Sequence, residues 1–136
     1  MSAKQLVKAF YDSDLANDVA VVSNFFHKDC ELHWSSSQGF TILKYNDIVT
    51  FFEGVRKSYN SLRFEFTHLI EADNTVVTRH TLLARTIEHP DSEIVLARYS
   101  AIWEVEDNKL YRGYEISQLA DETHAKAMDS YAERKI

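Results

Sequence analysis

The chain has one cysteine, one proline and three glycines in 136 residues. A lone cysteine, Cys30, leaves no internal disulfide to staple a small secreted scaffold, and it suits a reducing compartment. So few glycines leave no Gly-rich phosphate loop, and no cofactor is expected. Basic residues are short as well: fifteen Lys and Arg stand against twenty-one Asp and Glu, a net charge of −6. No basic block occurs, so neither a nucleic acid nor an anionic membrane, which both need a positive face, is an expected partner. Long apolar runs are missing. Val19-Ala20-Val21-Val22 falls far short of the ~20 residues of a membrane helix. Met1-Ser2-Ala3-Lys4-Gln5 lacks the pattern of a signal peptide. These absences lead to the expectation of a soluble, cytoplasmic domain.

Metal chemistry is not expected either. His27, His33, His68, His89 and His124 show no ligand spacing, with no HxH, no HExxH and no cysteine pair. Ser35-Ser36-Ser37 has no GxSxG elbow around it and reads as a polar rim.

What is present is ordinary for a globular chain: 45% hydrophobic and 26% charged residues. The length fits one domain over residues 1–136, with a core of about residues 3–120. The remaining 121–136 read as a helical or frayed tail, with Ala125, Met128 and Ala132 to pack. Leu6, Val7, Phe10 and Tyr11 share one face of a first helix. Asn17 and Asp18 can cap a second carrying Val21, Val22, Phe25 and Phe26. From Asp29 to Ser37 the pattern alternates, placing Cys30, Leu32 and Trp34 on one side of a strand. Gly39 marks a turn, and Asn46-Asp47 opens a third helix bearing Ile48, Phe51, Phe52, Val55 and Tyr59. Gly54 is discordant there, at a cost of ~1 kcal/mol relative to Ala.

Four alternating segments follow: Leu62–Ile70, Val76–Ile87, Ile94–Val105 and Lys109–Leu119. Turn signals separate them, and the lone Pro90 falls in one of these. A dozen residues of strand would span ~40 Å, wider than a globule of this size, so the strands must curl. The fold class is α+β, a curved, cone-shaped antiparallel sheet wrapped around N-terminal helices.

Parity sorts the faces. Val95, Ala97, Tyr99, Ala101 and Trp103 form one uncharged set and are read as concave, matched by Val76, Thr78, His80, Leu82 and Ala84. Arg79 and Arg98 lie on the opposite parity, toward water or a partner. For the last strand, periodicity leaves two sets open: Leu110, Arg112, Tyr114 and Ile116, or Tyr111, Gly113, Glu115 and Ser117. Leu96, Ile102, Leu110, Tyr114 and Ile116 would make an outer face too apolar for water, and a homodimer through it is expected.

The strand "DCELHW", the helix "NDIVTFFEGV" and the ending "YSAIWEVEDNKLYRGYEI" resemble the nuclear transport factor 2-like superfamily, a cystatin-like α+β roll. The nearest look is to its SnoaL-like branch of polyketide cyclases and limonene epoxide hydrolases. The resemblance runs to about Asp121 and implies one enclosed pocket, often in a homodimer. It implies that Tyr111, Gly113, Glu115 and Ser117 face inward, with Glu115 at the place of a pocket carboxylate. His80 falls where the epoxide hydrolases carry an arginine, and their second acid falls on Leu82. Leu32 and Trp34 fall where those enzymes hold the attacking water. For the ketosteroid isomerase branch, the base would fall on Trp34 and the oxyanion-hole acid on Ala101, neither able to do that chemistry.

The expected pocket is lined by Leu32, Trp34, Leu82, Ala97, Tyr99, Gly113 and Ser117, with His80 and Glu115 as candidate catalytic groups. A His–carboxylate pair can move a proton alpha to a carbonyl, the chemistry of a cofactor-independent cyclase, isomerase or hydrolase. The ligand would be hydrophobic or carbonyl-bearing. Two alternatives stay open: a non-catalytic ligand-binding or accessory dimerisation module, and a domain whose pocket is closed by side chains.

Overall fold

The computed structural model describes residues 1–120, 130–132 and 135–136. Its elements are α1 (Ala3–Asp12), α2 (Val21–Phe25), β1 (Phe26–Ser36), β2 (Gly39–Lys44), α3 (Tyr45–Ser58), β3 (Tyr59–Ala72), β4 (Thr75–Thr86), β5 (Ile94–Glu106) and β6 (Lys109–Leu119). Of the expected tail, residues 121–129 and 133–134, Ala125 and Met128 included, lie outside the described residues, while 130–132 form a turn in which Ala132 is exposed and not packed as expected. Among the described residues no helix is long and apolar enough to cross a membrane.

Ser2 starts α1 with a capping box. Its hydroxyl accepts from the Gln5 N–H at 3.1 Å, and the Gln5 side chain accepts from the Ser2 N–H at 2.8 Å. The inward face is the expected Leu6, Val7, Phe10 and Tyr11, all buried. Asp18 does not cap the next helix. Its carboxylate accepts from the Ala20 N–H two residues on, at 2.9 Å, and that local turn delays α2 to Val21. Phe26 then already belongs to β1. In α3 the Asp47 carboxylate accepts the Lys44 N–H at 2.9 Å, so the helix opens at Tyr45.

The strand order is β2-β1-β6-β5-β4-β3. All ladders are antiparallel except β1–β6, which is parallel because the last strand returns beside the first. This is the α+β roll, with one ladder the alternation could not orient. β2 was not expected at all. Gly39 turns with φ of 109°, and Phe40, Thr41 and Ile42 on this edge strand are all exposed, leaving no alternation to detect. Asp107 and Asn108, with φ of 52° and 57°, make the left-handed pair that the tight β5–β6 hairpin requires.

Register slips bend the sheet, at Phe66/His68, Leu82/Leu83 and Glu104/Val105 among others. Two of them overturn parity assignments. At Glu104/Val105 the extra residue is Tyr111, because Val105 pairs with Leu110 and Glu104 with Arg112. Leu110 therefore faces inward at 0% exposure and is not part of the outer face. Tyr111 leaves the concave set and packs on the His27 ring at 4.9 Å and the Arg112 guanidinium at 4.0 Å. At the slip on β5 the extra residue is Leu96, half-buried on the cavity side and also lost to the outer face.

Phe10 is the hub between helices and sheet. It meets Phe25, Phe26, Phe52 and Trp103 edge-on, at centroid separations of 5.7, 5.4, 6.5 and 6.0 Å. Cys30 is buried in the same core, and burial pushes its thiol up to about 11, so it acts as a small hydrophobe. On the outer face Arg79 is not free to water. Ser130 accepts its guanidinium at 2.6 Å and the Tyr131 ring lies 3.7 Å beneath it.

Candidate functional site

A cavity of about 500 Å³ opens between the concave sheet, α1 and α3. Its back wall comes from alternate residues of β4, β5 and β6, where small side chains were placed by parity. Ala97 and Ala101 are buried at 2% and 1% exposure, and Ala97, which lines the cavity, leaves volume that a larger residue would fill. The front is aromatic: Tyr11 from α1, Phe51 and Phe52 from α3, Trp34 from β1 and Phe64 from β3.

Of the residues expected at the pocket, the structure brings Leu32, Trp34, Leu82, Ala97, Tyr99 and Ser117 to this wall, together with His80 and Glu115. Gly113 is not on it. It lies behind the wall, where a Cβ would sit 2.6 Å from the Trp103 indole and 2.8 Å from Leu32. Only glycine lets that indole lie against β6. The Trp34 indole donates to Ser117 Oγ at 2.8 Å, locking β1 to β6 on the cavity side.

Glu115 is paired in register with Ala101 on one side and Trp34 on the other. Among the described residues it has neither a hydrogen-bond nor an ion-pair partner, and no Lys or Arg lines the cavity. Burial alone pushes its carboxyl up to about 8, so the acid is largely protonated at neutral pH. Burial first, and then the Glu115 charge, push the Tyr11 and Tyr99 hydroxyls above the usual phenol range.

His80 sits beside them at 0% exposure. Its ring stacks on Tyr99 at 5.2 Å with 4° between planes, and meets Tyr11 at 4.7 Å. Nδ1 shares a hydrogen bond with Thr78 Oγ1 at 3.1 Å, while Nε2 is buried without a partner. Burial pulls the imidazole down to about 3, so it is neutral at any physiological pH. His80 and Glu115 share no hydrogen bond. With His80 neutral there is no imidazolium to lower Glu115, and each group is shifted by burial alone.

Sequence reasoning passed over Tyr11, Phe51 and Gly54 as wall residues. A helical apolar face looks the same whether it packs on a sheet or bounds a void. The discordant glycine was the one signal available.

With the geometry in view, the sequence as a whole can be placed. The family model of the SnoaL-like domain matches residues 7–113. The chain belongs to the SnoaL-like domain family. No curated protein matches the sequence. Among solved structures, IdmH from Streptomyces antibioticus, a candidate polyketide cyclase, is similar at a TM-score of 0.69 and 10% identity, over 86% of this chain and 92% of that one. An M. tuberculosis epoxide hydrolase of the LEH-like type is similar at 0.66 and 14%, over 85% and 81%. A Catenulispora acidiphila protein with a ketosteroid isomerase-like fold is similar at 0.59 and 9%, over 82% and 83%. At these identities the likeness is one of fold, the nuclear transport factor 2-like roll.

Proposed function

We propose that this SnoaL-like domain binds a hydrophobic or carbonyl-bearing small molecule in the cavity, with Glu115 as the group that exchanges a proton with it. The observation that carries this reading is an unpartnered carboxyl, raised to about 8, on the wall of an otherwise apolar cavity of about 500 Å³. A protonated Glu115 can donate to a ligand carbonyl and, once ionised, take a proton back, so one group serves as acid and then base. His80 is the second candidate, with its orphaned Nε2 as the polar atom a ligand can satisfy. Trp34 supplies a flat face near the opening. The reaction class is a cofactor-independent cyclisation or isomerisation by proton transfer. Hydrolysis by two acids is not favoured, because Leu82 stands on the wall where the resemblance would place the second acid.

A non-catalytic ligand-binding module is the second reading, favoured by the missing hydrogen bond between His80 and Glu115. Glu115→Gln separates the two. A catalyst loses at least a hundredfold in turnover and still binds, whereas a carrier changes affinity only modestly.

The same reading includes a homodimer through the outer sheet face. Cross-strand register places Ile42, His33, Tyr114, Ile102, Val77 and Ile70 in one row across all six strands. All but the half-buried His33 are exposed, and such a row on a curved sheet supports a two-fold contact. A cytoplasmic site of action fits the same reading.

A further inference from the structure

Gly54 sits inside α3, where a glycine needs a reason, since it costs ~1 kcal/mol relative to alanine in a helix interior. Two ordinary reasons are excluded here. Its φ is not positive, so no left-handed conformation requires it. Among the described residues no neighbour approaches its backbone either, because a Cβ built there meets none of them within 4 Å. The structure contrasts it with Gly113, where a Cβ would strike two side chains.

What Gly54 does border is the cavity. It is exposed and yet lines the void, as do Phe51 one turn before it and Ser58 one turn after it on the same helix face. Ser37 and Gln38 in the β1–β2 turn and Leu119 at the end of β6 are exposed and line it too. Residues that face both solvent and void define the mouth. The Phe51 ring stands edge-on to Trp34 at 5.5 Å on one side of it, and Gly54 leaves the next turn of the helix bare.

We propose that Gly54 is the size-determining residue of the cavity mouth, its missing side chain keeping open a slot for a flat, uncharged ring system. The slot is flat because Phe51 and Trp34 present ring edges and faces beside a helix surface without a side chain. It suits an uncharged ring because, among the described residues, no Lys or Arg lines the void to hold an anion. This rests on the ligand-binding reading above and adds the residue that sets what can enter.

The test uses Gly54→Leu, with Glu53→Leu as the control on an exposed neighbour that does not line the cavity. Acrylamide, a small neutral quencher, reports access to Trp34 and Trp103 without any ligand being known. Gly54→Leu is expected to cut the quenching constant at least twofold with an unchanged or higher melting temperature, while Glu53→Leu leaves quenching unchanged. An equal loss in both variants, or none in Gly54→Leu, overturns the proposal. Should Gly54→Leu fail to fold, Gly54→Ala serves, with a smaller drop in quenching expected and an unchanged constant overturning it. Prodan, a flat neutral aromatic ketone, then separates the two claims. If quenching falls in Gly54→Leu but the wild-type protein takes up no prodan, the slot stands and the ligand-binding reading loses support for such ketones. Where the wild type binds it, Gly54→Leu is expected to weaken binding at least tenfold.

Discussion

The indole N–H of Trp103 donates to the Tyr11 hydroxyl at 2.9 Å, joining the C-terminal part of β5 to α1 through the buried interior. The bond fixes the helix that forms one wall of the cavity to the sheet that forms the other. Both residues are nearly fully buried, at 3% and 6% exposure, so neither partner has water as an alternative.

Tyr11→Phe should therefore cost ~1–3 kcal/mol, because it strands a buried donor without removing much packing. Urea denaturation followed by tryptophan fluorescence measures it. A loss under ~0.5 kcal/mol, the size expected of an ordinary surface substitution, would mean the hydrogen bond is not what holds α1 in place.

Gly113→Ala puts a methyl group 2.6 Å from the Trp103 indole. Overpacking at such a site costs ~1–3 kcal/mol and displaces the ring. The expected outcome is a lower melting temperature and an altered near-ultraviolet circular dichroism signal from Trp103. Unchanged values in both would show that β6 and the indole can part freely.

Stability should peak in mildly acidic solution. His80, pulled down to about 3, stays neutral in the fold while the unfolded chain takes up a proton below about 6.5. That contribution rises with pH from 3 to 6.5, at ~1.4 kcal/mol per pH unit. Glu115, raised to about 8, keeps its proton in the fold where the unfolded chain has lost it. That contribution falls with pH from 4.5 to 8, at a similar ~1.4 kcal/mol per unit. Between 4.5 and 6.5 the two slopes cancel. A plateau there, with stability falling on both sides, is the expected profile. Glu115→Gln should flatten the alkaline limb and turn the plateau into a continued rise up to about pH 6.5, and an alkaline limb unchanged by that substitution would speak against a buried, unpartnered acid.

Much of this was legible in the residues. Period-2 alternation fixed the four long strands, the concave set of β4 and that of β5 from Ala97 on, because one face of each packs against the helices; Val95, beyond the slip at Leu96, was expected to be concave but is 41% exposed and does not line the cavity. The resemblance, not the periodicity, put Glu115 and Ser117 on the inside. What the alternation could not reveal were the slips: one extra residue at Tyr111 and one at Leu96 reverse the parity of their neighbours, and no side-chain pattern marks them. β2 escaped because an edge strand exposed on both faces has no alternation to offer. Gly54 stood out, but only the empty space over it gives that signal a meaning.

A charge in the middle of the outer row should break the proposed dimer. Ile102→Asp lies between Tyr114 and Val77, which pair with it across the sheet. Sedimentation velocity at micromolar concentration is expected to show a dimer for the parent and a monomer for the variant, with the fold retained by circular dichroism. A monomeric parent contradicts the interface.

The most direct test of the central claim uses the two indole N–H signals in a proton–nitrogen correlation spectrum. Trp34 donates to Ser117 and Trp103 to Tyr11, and all four residues line the cavity, so both indoles report on the void. Titration with a series of neutral hydrophobic ketones should shift the Trp34 signal saturably, with the response altered in Glu115→Gln. If neither indole moves with any ketone up to its solubility limit, the cavity does not take up this class of molecule, and the account of Glu115 as its proton-exchanging group fails.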